Sequence, residues 1–157
     1  MDVTVPRARA WAREMQQVHQ RLREALDLAR DQVEDLGVVE PPTRDRLLYC
    51  WGFCRALGGH HRSEDDVLFP VLLAAHPDLR PVVARLVQDH SMIEHLLGGL
   101  GETLASGGPA QATLRHLDGI GAVMESHFRY EERQLLHLLD ALDGQDLEPA
   151  RVLGPLA

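Results

Sequence analysis

One pattern occurs twice in this chain. His60-x-x-x-Glu64-Asp65-x-x-Leu68-Phe69 returns as His127-x-x-x-Glu131-Glu132-x-x-Leu135-Leu136, and His19-x-x-Leu22 returns as His90-x-x-Ile93. Repetition at helical spacing describes two related helical hairpins. Each has an apolar face to bury, and the two do so by packing on one another about an approximate two-fold axis. That restricts the fold more than composition does: four helices, with equivalent residues of the two halves brought to the middle.

Apolar periodicity locates those helices. Trp11, Met15, Val18, Leu22, Leu26, Ala29 and Val33 follow one face of a first helix, expected from about Val5 to Leu36 with Gly37 as its stop. Pro41-Pro42-Thr43 opens a second, which carries Leu47, Leu48, Trp51 and Leu57 and runs on to about Ala75. Gly58-Gly59 is a place for a kink in it, and Pro70, which has no N–H to donate, predicts a bend or restart near Phe69. Pro81 begins a third, with Val83, Leu86, Ile93, Leu97 and Leu104 inward, and Ser106-Gly107-Gly108-Pro109 ends it. The fourth is expected from about Ala110 to Leu142. Short links between long helices make neighbours antiparallel, so the fold class is all-α, an antiparallel up-down-up-down four-helix bundle over residues 1–144, followed by an irregular tail at 145–157. An aromatic share of only 4%, within a hydrophobic content of 45%, agrees with helix packing and disfavours a β-sandwich.

The repeat carries chemistry. A histidine and a glutamate four apart on a helix differ by about 40° in direction and about 6 Å in height, so both can address one ion or an adjacent pair. His-x-x-x-Glu occurs at His60/Glu64, His90/Glu94 and His127/Glu131, where chance in this composition supplies about 0.6 matches. His19, His90 and His127 each interrupt an apolar stripe that faces the core. Buried imidazoles and carboxylates need partners, and a shared metal satisfies them together. Imidazole mixed with carboxylate suits iron, manganese or zinc, and a site without thiolate argues against copper(I) and iron–sulfur clusters. The Glu-x-x-His motif of ferritin-like sites and the HExxH of metalloproteases are both absent.

The arrangement resembles the hemerythrin-like, or HHE cation-binding, family, whose pattern is a lone His, His-x-x-x-Glu, a lone His and His-x-x-x-Glu on successive helices. The likeness runs from about Arg7 to Leu142 and includes HHRSEDDVLFP and HFRYEER. It implies two non-haem iron ions joined by an oxo or hydroxo bridge: His19 and His60 on one, His90 and His127 on the other, with Glu64 and Glu131 bridging. Where oxygen-carrying members have a second histidine on the third helix, this chain has Glu94, which either coordinates or forms a hydrogen bond at the edge of the site. The carriers also place the fourth-helix carboxylate five residues after its histidine, here Glu132; Glu131 is preferred for its match with Glu64. An anionic ligand in place of a neutral imidazole favours the ferric state, which points away from simple oxygen carriage.

Around this set the expectations are plainer. His61, Asp65 and Asp66 lie about 100° or more from His60 and read as a solvated face. His95 and His137 are off-face, His116 belongs at the bundle end, and Tyr49 reads as core or channel lining. Tyr130 points near enough to hydrogen-bond a bridging ligand or donate an electron, with a packing role as the alternative. Cys50 and Cys54, the only cysteines, read as reduced core thiols.

Two functions follow. One is a diiron oxidoreductase acting on hydrogen peroxide, nitric oxide or dioxygen, with a peroxide-decomposing, catalase-like activity as its enzymatic form. The other is an oxygen-, iron- or redox-sensing module without turnover, read by a separate protein partner. A metal-free buried network is the structural competitor. A net charge of −8 without any basic block argues against nucleic acid, and the lack of a long apolar run argues against a membrane, so a cytoplasmic protein is expected.

Overall fold

The stripe from Trp11 to Val33 is the buried face of α1 (Trp11–Leu36). The computed structural model describes residues 10–36, 47–142 and 147–157; the expected start at Val5, the stop at Gly37 and the opening at Pro41-Pro42-Thr43 lie outside them. α2 (Leu48–Ser63) continues through a π-helical turn at Glu64–Leu68 into α3 (Phe69–Ala75), and a 3-10 turn at Pro77–Leu79 leads into α4 (Arg80–Ser106). α5 (Ala110–Leu139) and a short α6 (Pro149–Leu153) complete the order. α1, α2, α4 and α5 pack as a four-helix bundle, closest along α4/α5, α1/α5 and α1/α2, with the α2/α4 seam the most open.

Local chemistry explains the irregularities. The helix through Gly58-Gly59 is unbroken, so the two glycines do not kink it. The break comes at Pro70, whose missing N–H and ring prevent an ordinary turn onto Asp66. The backbone widens instead, and the Phe69 N–H reaches back five residues to the Glu64 carbonyl. Gly107 ends α4 in the left-handed region at φ 68°, with the Gly108 N–H closing onto the Thr103 carbonyl at 3.1 Å. Asp140, just past α5, caps α1 by accepting from the Ala12 N–H at 3.0 Å.

Residues 147–157 depart from the expected irregular tail. Val152 and Leu153 of α6 are buried, and Gly154 passes close enough to α2 that a Cβ there would lie 2.6 Å from His60 Cα. Two buried apolar side chains supply the packing that holds so short a helix, which alone has too few hydrogen bonds to persist. Tyr49 also departs: it is half exposed, its N–H donating to Gln32 Oε1 at 3.2 Å, and is no part of the core. Among the described residues no helix is long and apolar enough to cross a membrane.

Cys50 and Cys54 are free thiols on α2, and burial pushes them up to about 11 and about 12. At pH 8 a disulfide reagent is expected to label the native protein about a hundredfold more slowly than the urea-unfolded chain, since each unit of raised pKa removes tenfold in thiolate. Equal rates in both states would place the thiols at the surface.

Candidate metal centre

Each bundle helix sends a histidine to the centre, and α2 sends a second, His61. His19, His60 and His127 are at most 1% exposed, His90 is 5% exposed, and Glu64 and Glu131 are wholly buried. One helical turn separates each glutamate from the histidine on its own helix, so the two side chains project together. His60 Nε2 lies 3.2 Å from Glu64 Oε1, and His90 Nε2 3.5 Å from the same oxygen. His19 Nε2 lies 3.0 Å from Glu131 Oε1, and His127 Nε2 3.9 Å from Glu131 Oε2. Each carboxylate therefore meets one histidine of its own hairpin and one of the other.

The outer nitrogens are all held. His90 Nδ1 donates to Asp65 Oδ1 at 2.7 Å, His19 Nδ1 to Glu132 Oε1 at 2.9 Å, His127 Nδ1 to Asp89 Oδ2 at 3.1 Å, and His60 Nδ1 to the Leu153 carbonyl at 2.7 Å. These oxygens accept from Nδ1, so in a neutral ring the proton stays there and the Nε2 lone pair faces inward. Outer partners of this kind orient histidines at metal centres. His90 and His127 bring their Nε2 atoms to 3.1 Å of each other, and with both protons on Nδ1 that approach is two lone pairs converging.

Among the described residues nothing answers those inward atoms. Nε2 of His19, His60 and His61, and both carboxylate oxygens of Glu64 and Glu131, are buried without a hydrogen-bond partner, because their close approaches lack hydrogen-bond alignment. Leaving such groups unmet costs about 1–3 kcal/mol each. The donors gather in two sets, His19, His60 and Glu131 in one and His61, Glu64, His90 and His127 in the other, with atoms of each set within 4.8 Å of one another. Two sets of orphaned imidazole and carboxylate donors fit a pair of metal ions.

The electrostatics are uneven. Burial, then the neighbouring Glu131, raises Glu64 well above the usual carboxylate range. Burial acts the same way on Glu131, but the close approach of His19 outweighs it and holds Glu131 low. Burial opposes charge on His19, yet Glu131 and Glu132 together raise it. Burial, reinforced by a charged His19, lowers His60 to about 3. His61 and His127 are also lowered, chiefly by burial. Neutral imidazoles are the form that binds metal.

His19, His60, Glu64, His90, His127 and Glu131 thus come together. Glu94 is exposed and belongs to neither donor set, and Glu132 stands behind His19. Tyr130 is half-buried with the Arg85 guanidinium 3.9 Å over its ring. His61 and Asp65 are not the solvated face that their angle from His60 suggested: α2 is covered over a wider arc, so His61 stacks on His90 at 4.0 Å and Asp65 holds His90 from outside. Asp65 and Glu132 occupy equivalent places in the two copies of the repeat, a signal that was present in the sequence. Asp89, on α4 but serving His127 on α5, had no such signal.

Over residues 12–139 the chain matches the family described as Hemerythrin HHE cation binding domain. No curated protein and no solved structure matches it.

Proposed function

Because the chain belongs to the hemerythrin HHE cation-binding domain family, we propose that its two donor sets hold a pair of iron ions that bind or react with a small oxidant such as hydrogen peroxide, nitric oxide or dioxygen. The observation that carries this reading is the convergence of buried imidazole and carboxylate groups from the four bundle helices, with Nε2 of His19, His60 and His61 and the oxygens of Glu64 and Glu131 left without a hydrogen-bond partner. In this reading His19 and His60 serve one ion, His90 and His127 the other, and Glu64 and Glu131 serve both. Imidazole and carboxylate without thiolate are a donor chemistry suited to iron. When bound, the iron pair supplies one-electron steps at each ion.

The protein's own groups do the rest. Asp65, Asp89, Glu132 and the Leu153 carbonyl hold the four imidazoles in one tautomer, so no reorganisation is needed when a metal or ligand arrives. Phe128, stacked on His19, and Leu22, Leu57 and Leu86, each buried one helical turn from a histidine of the centre, supply apolar surface that limits water. In a catalase-like reaction one peroxide is oxidised to dioxygen while another is reduced to water, so no outside reductant is required. A second reading, sensing without turnover, is favoured by one contact. The chain's C-terminal segment accepts directly from His60, so a change at that histidine is felt in a surface element. Two free thiols, one of them buried, suit a reducing, cytoplasmic setting.

Metal content with the visible spectrum, before and after peroxide, tests the proposal. About two irons per chain and steady oxygen evolution are expected for the enzyme. A lasting spectral change without gas would leave the sensing form. Protein with no transition metal after anaerobic reconstitution with ferrous ion would overturn both.

A further inference from the structure

In the two copies of the repeat, the histidine of the His-x-x-x-Glu pair is followed by a different residue, His61 after His60 and Phe128 after His127. They occupy equivalent places. The Phe128 ring lies on His19 at 3.8 Å and 6°, and the His61 ring lies on His90 at 4.0 Å and 13°. One half of the centre is therefore roofed by hydrocarbon. The other is roofed by an imidazole whose Nε2 is buried, unpartnered and gathered with Glu64, His90 and His127.

The His61 half is also the half that opens outward. A cavity of about 100 Å³ lies in the α2/α4 seam, lined by His61, Arg62, Asp65, His90, Glu94 and Leu97. At roughly 30 Å³ per water it has room for a molecule of peroxide or azide size. His61 and His90, each 5% exposed, are the only members of the two donor sets above 1%. The opposite half is closed by Phe128 and by Leu153 and Gly154, which press on His60. Gly58 borders the same cavity, and a Cβ there would meet nothing within 4 Å. A glycine inside a helix is unfavourable without a reason, and here any larger side chain would stand in the opening.

From these juxtapositions we infer that a small exogenous ligand reaches the ion pair through the α2/α4 cavity, at the ion served by Glu64, His90 and His127, and that His61 stands in its path. The inference rests on the dimetal reading, and supplies its direction of entry and the residue that governs it.

Azide binding to the iron-loaded, oxidised protein, followed by stopped-flow absorption, is the test, with iron per chain measured first. Gly58→Leu is expected to slow azide association at least about tenfold, equivalent to about 1.4 kcal/mol of barrier, with iron content unchanged. His61→Phe, which copies the hydrocarbon roof of the other half, is expected to slow it similarly. Gly52→Leu, exposed on the same helix with open space at its Cβ and away from the cavity, serves as the control and keeps the wild-type rate. Wild-type association in Gly58→Leu would overturn the inference even if His61→Phe lost iron. Wild-type protein unable to hold iron would remove the dimetal reading and this inference with it, and would be seen before any rate was measured.

Discussion

Glu64→Gln is expected to leave about one iron or fewer per chain where the wild type holds about two, while the metal-free form of the variant is at least as stable as metal-free wild type. The two halves of that expectation have one cause. Glu64 is wholly buried, 3.2 Å from His60 Nε2 and 3.5 Å from His90 Nε2, and neither of its oxygens has a hydrogen-bond partner. In the proposed site it is an anionic donor, and an amide oxygen is a much weaker one. Without metal it is a carboxyl group that burial and Glu131 raise well above the usual range.

The sign for pH follows. A raised carboxyl binds its proton more tightly folded than unfolded, so the folded chain holds more protons, and stability falls as pH rises above the ordinary carboxylate range. His60, His61, His127 and Glu131, all held low, push stability the other way in both proteins. The Glu64 contribution is therefore read as a difference: the urea midpoint of metal-free wild type relative to metal-free Glu64→Gln should fall from acid to neutral pH. Adding ferrous ion at about a hundred times its dissociation constant should restore about 2.7 kcal/mol to the wild type, and little to the variant. Full iron occupancy in Glu64→Gln would remove Glu64 from the donor set. A metal-free variant less stable than wild type would mean the carboxyl had a partner after all.

Gly154→Val should lower stability by about 2–5 kcal/mol, combining a strained backbone with overpacking, and weaken iron binding by about 10–100-fold through the displaced outer partner. Gly154 has φ 93°, a conformation that a β-branched residue resists, and its Cβ would lie 2.6 Å from His60 Cα and 2.8 Å from His60 N. Neither contact is with a movable side-chain end, so α6 must lift. As it lifts, the Leu153 carbonyl leaves His60 Nδ1, and the imidazole loses the acceptor that fixes its tautomer. Urea midpoint and a competition titration against a chelator read the two effects separately. Unchanged values in both would mean that α6 does not seat on α2.

Periodicity and the repeat were enough to read four helices and six inward donors. Helical spacing alone decides which residues share a face, and a polar residue on an apolar stripe is conspicuous. His19, His60, Glu64, His90, His127 and Glu131 were legible for that reason, as was the trouble that Pro70 causes. What depended on neighbouring helices was not legible. His61 stands about 100° from His60 on the helical wheel, and whether that direction meets water or His90 is decided by how far α4 covers α2. Asp89 serves a histidine on another helix, and no spacing within α4 reports such a contact. The tail reads as irregular by composition, and becomes helical only because Val152 and Leu153 find a groove against the bundle. The sequence by itself determined the helices and the chemistry each turns inward, because both follow from local geometry. Only the tertiary structure decided which nitrogens are held from behind, which half of the centre is sealed and which opens, because those depend on contacts between elements far apart in the chain.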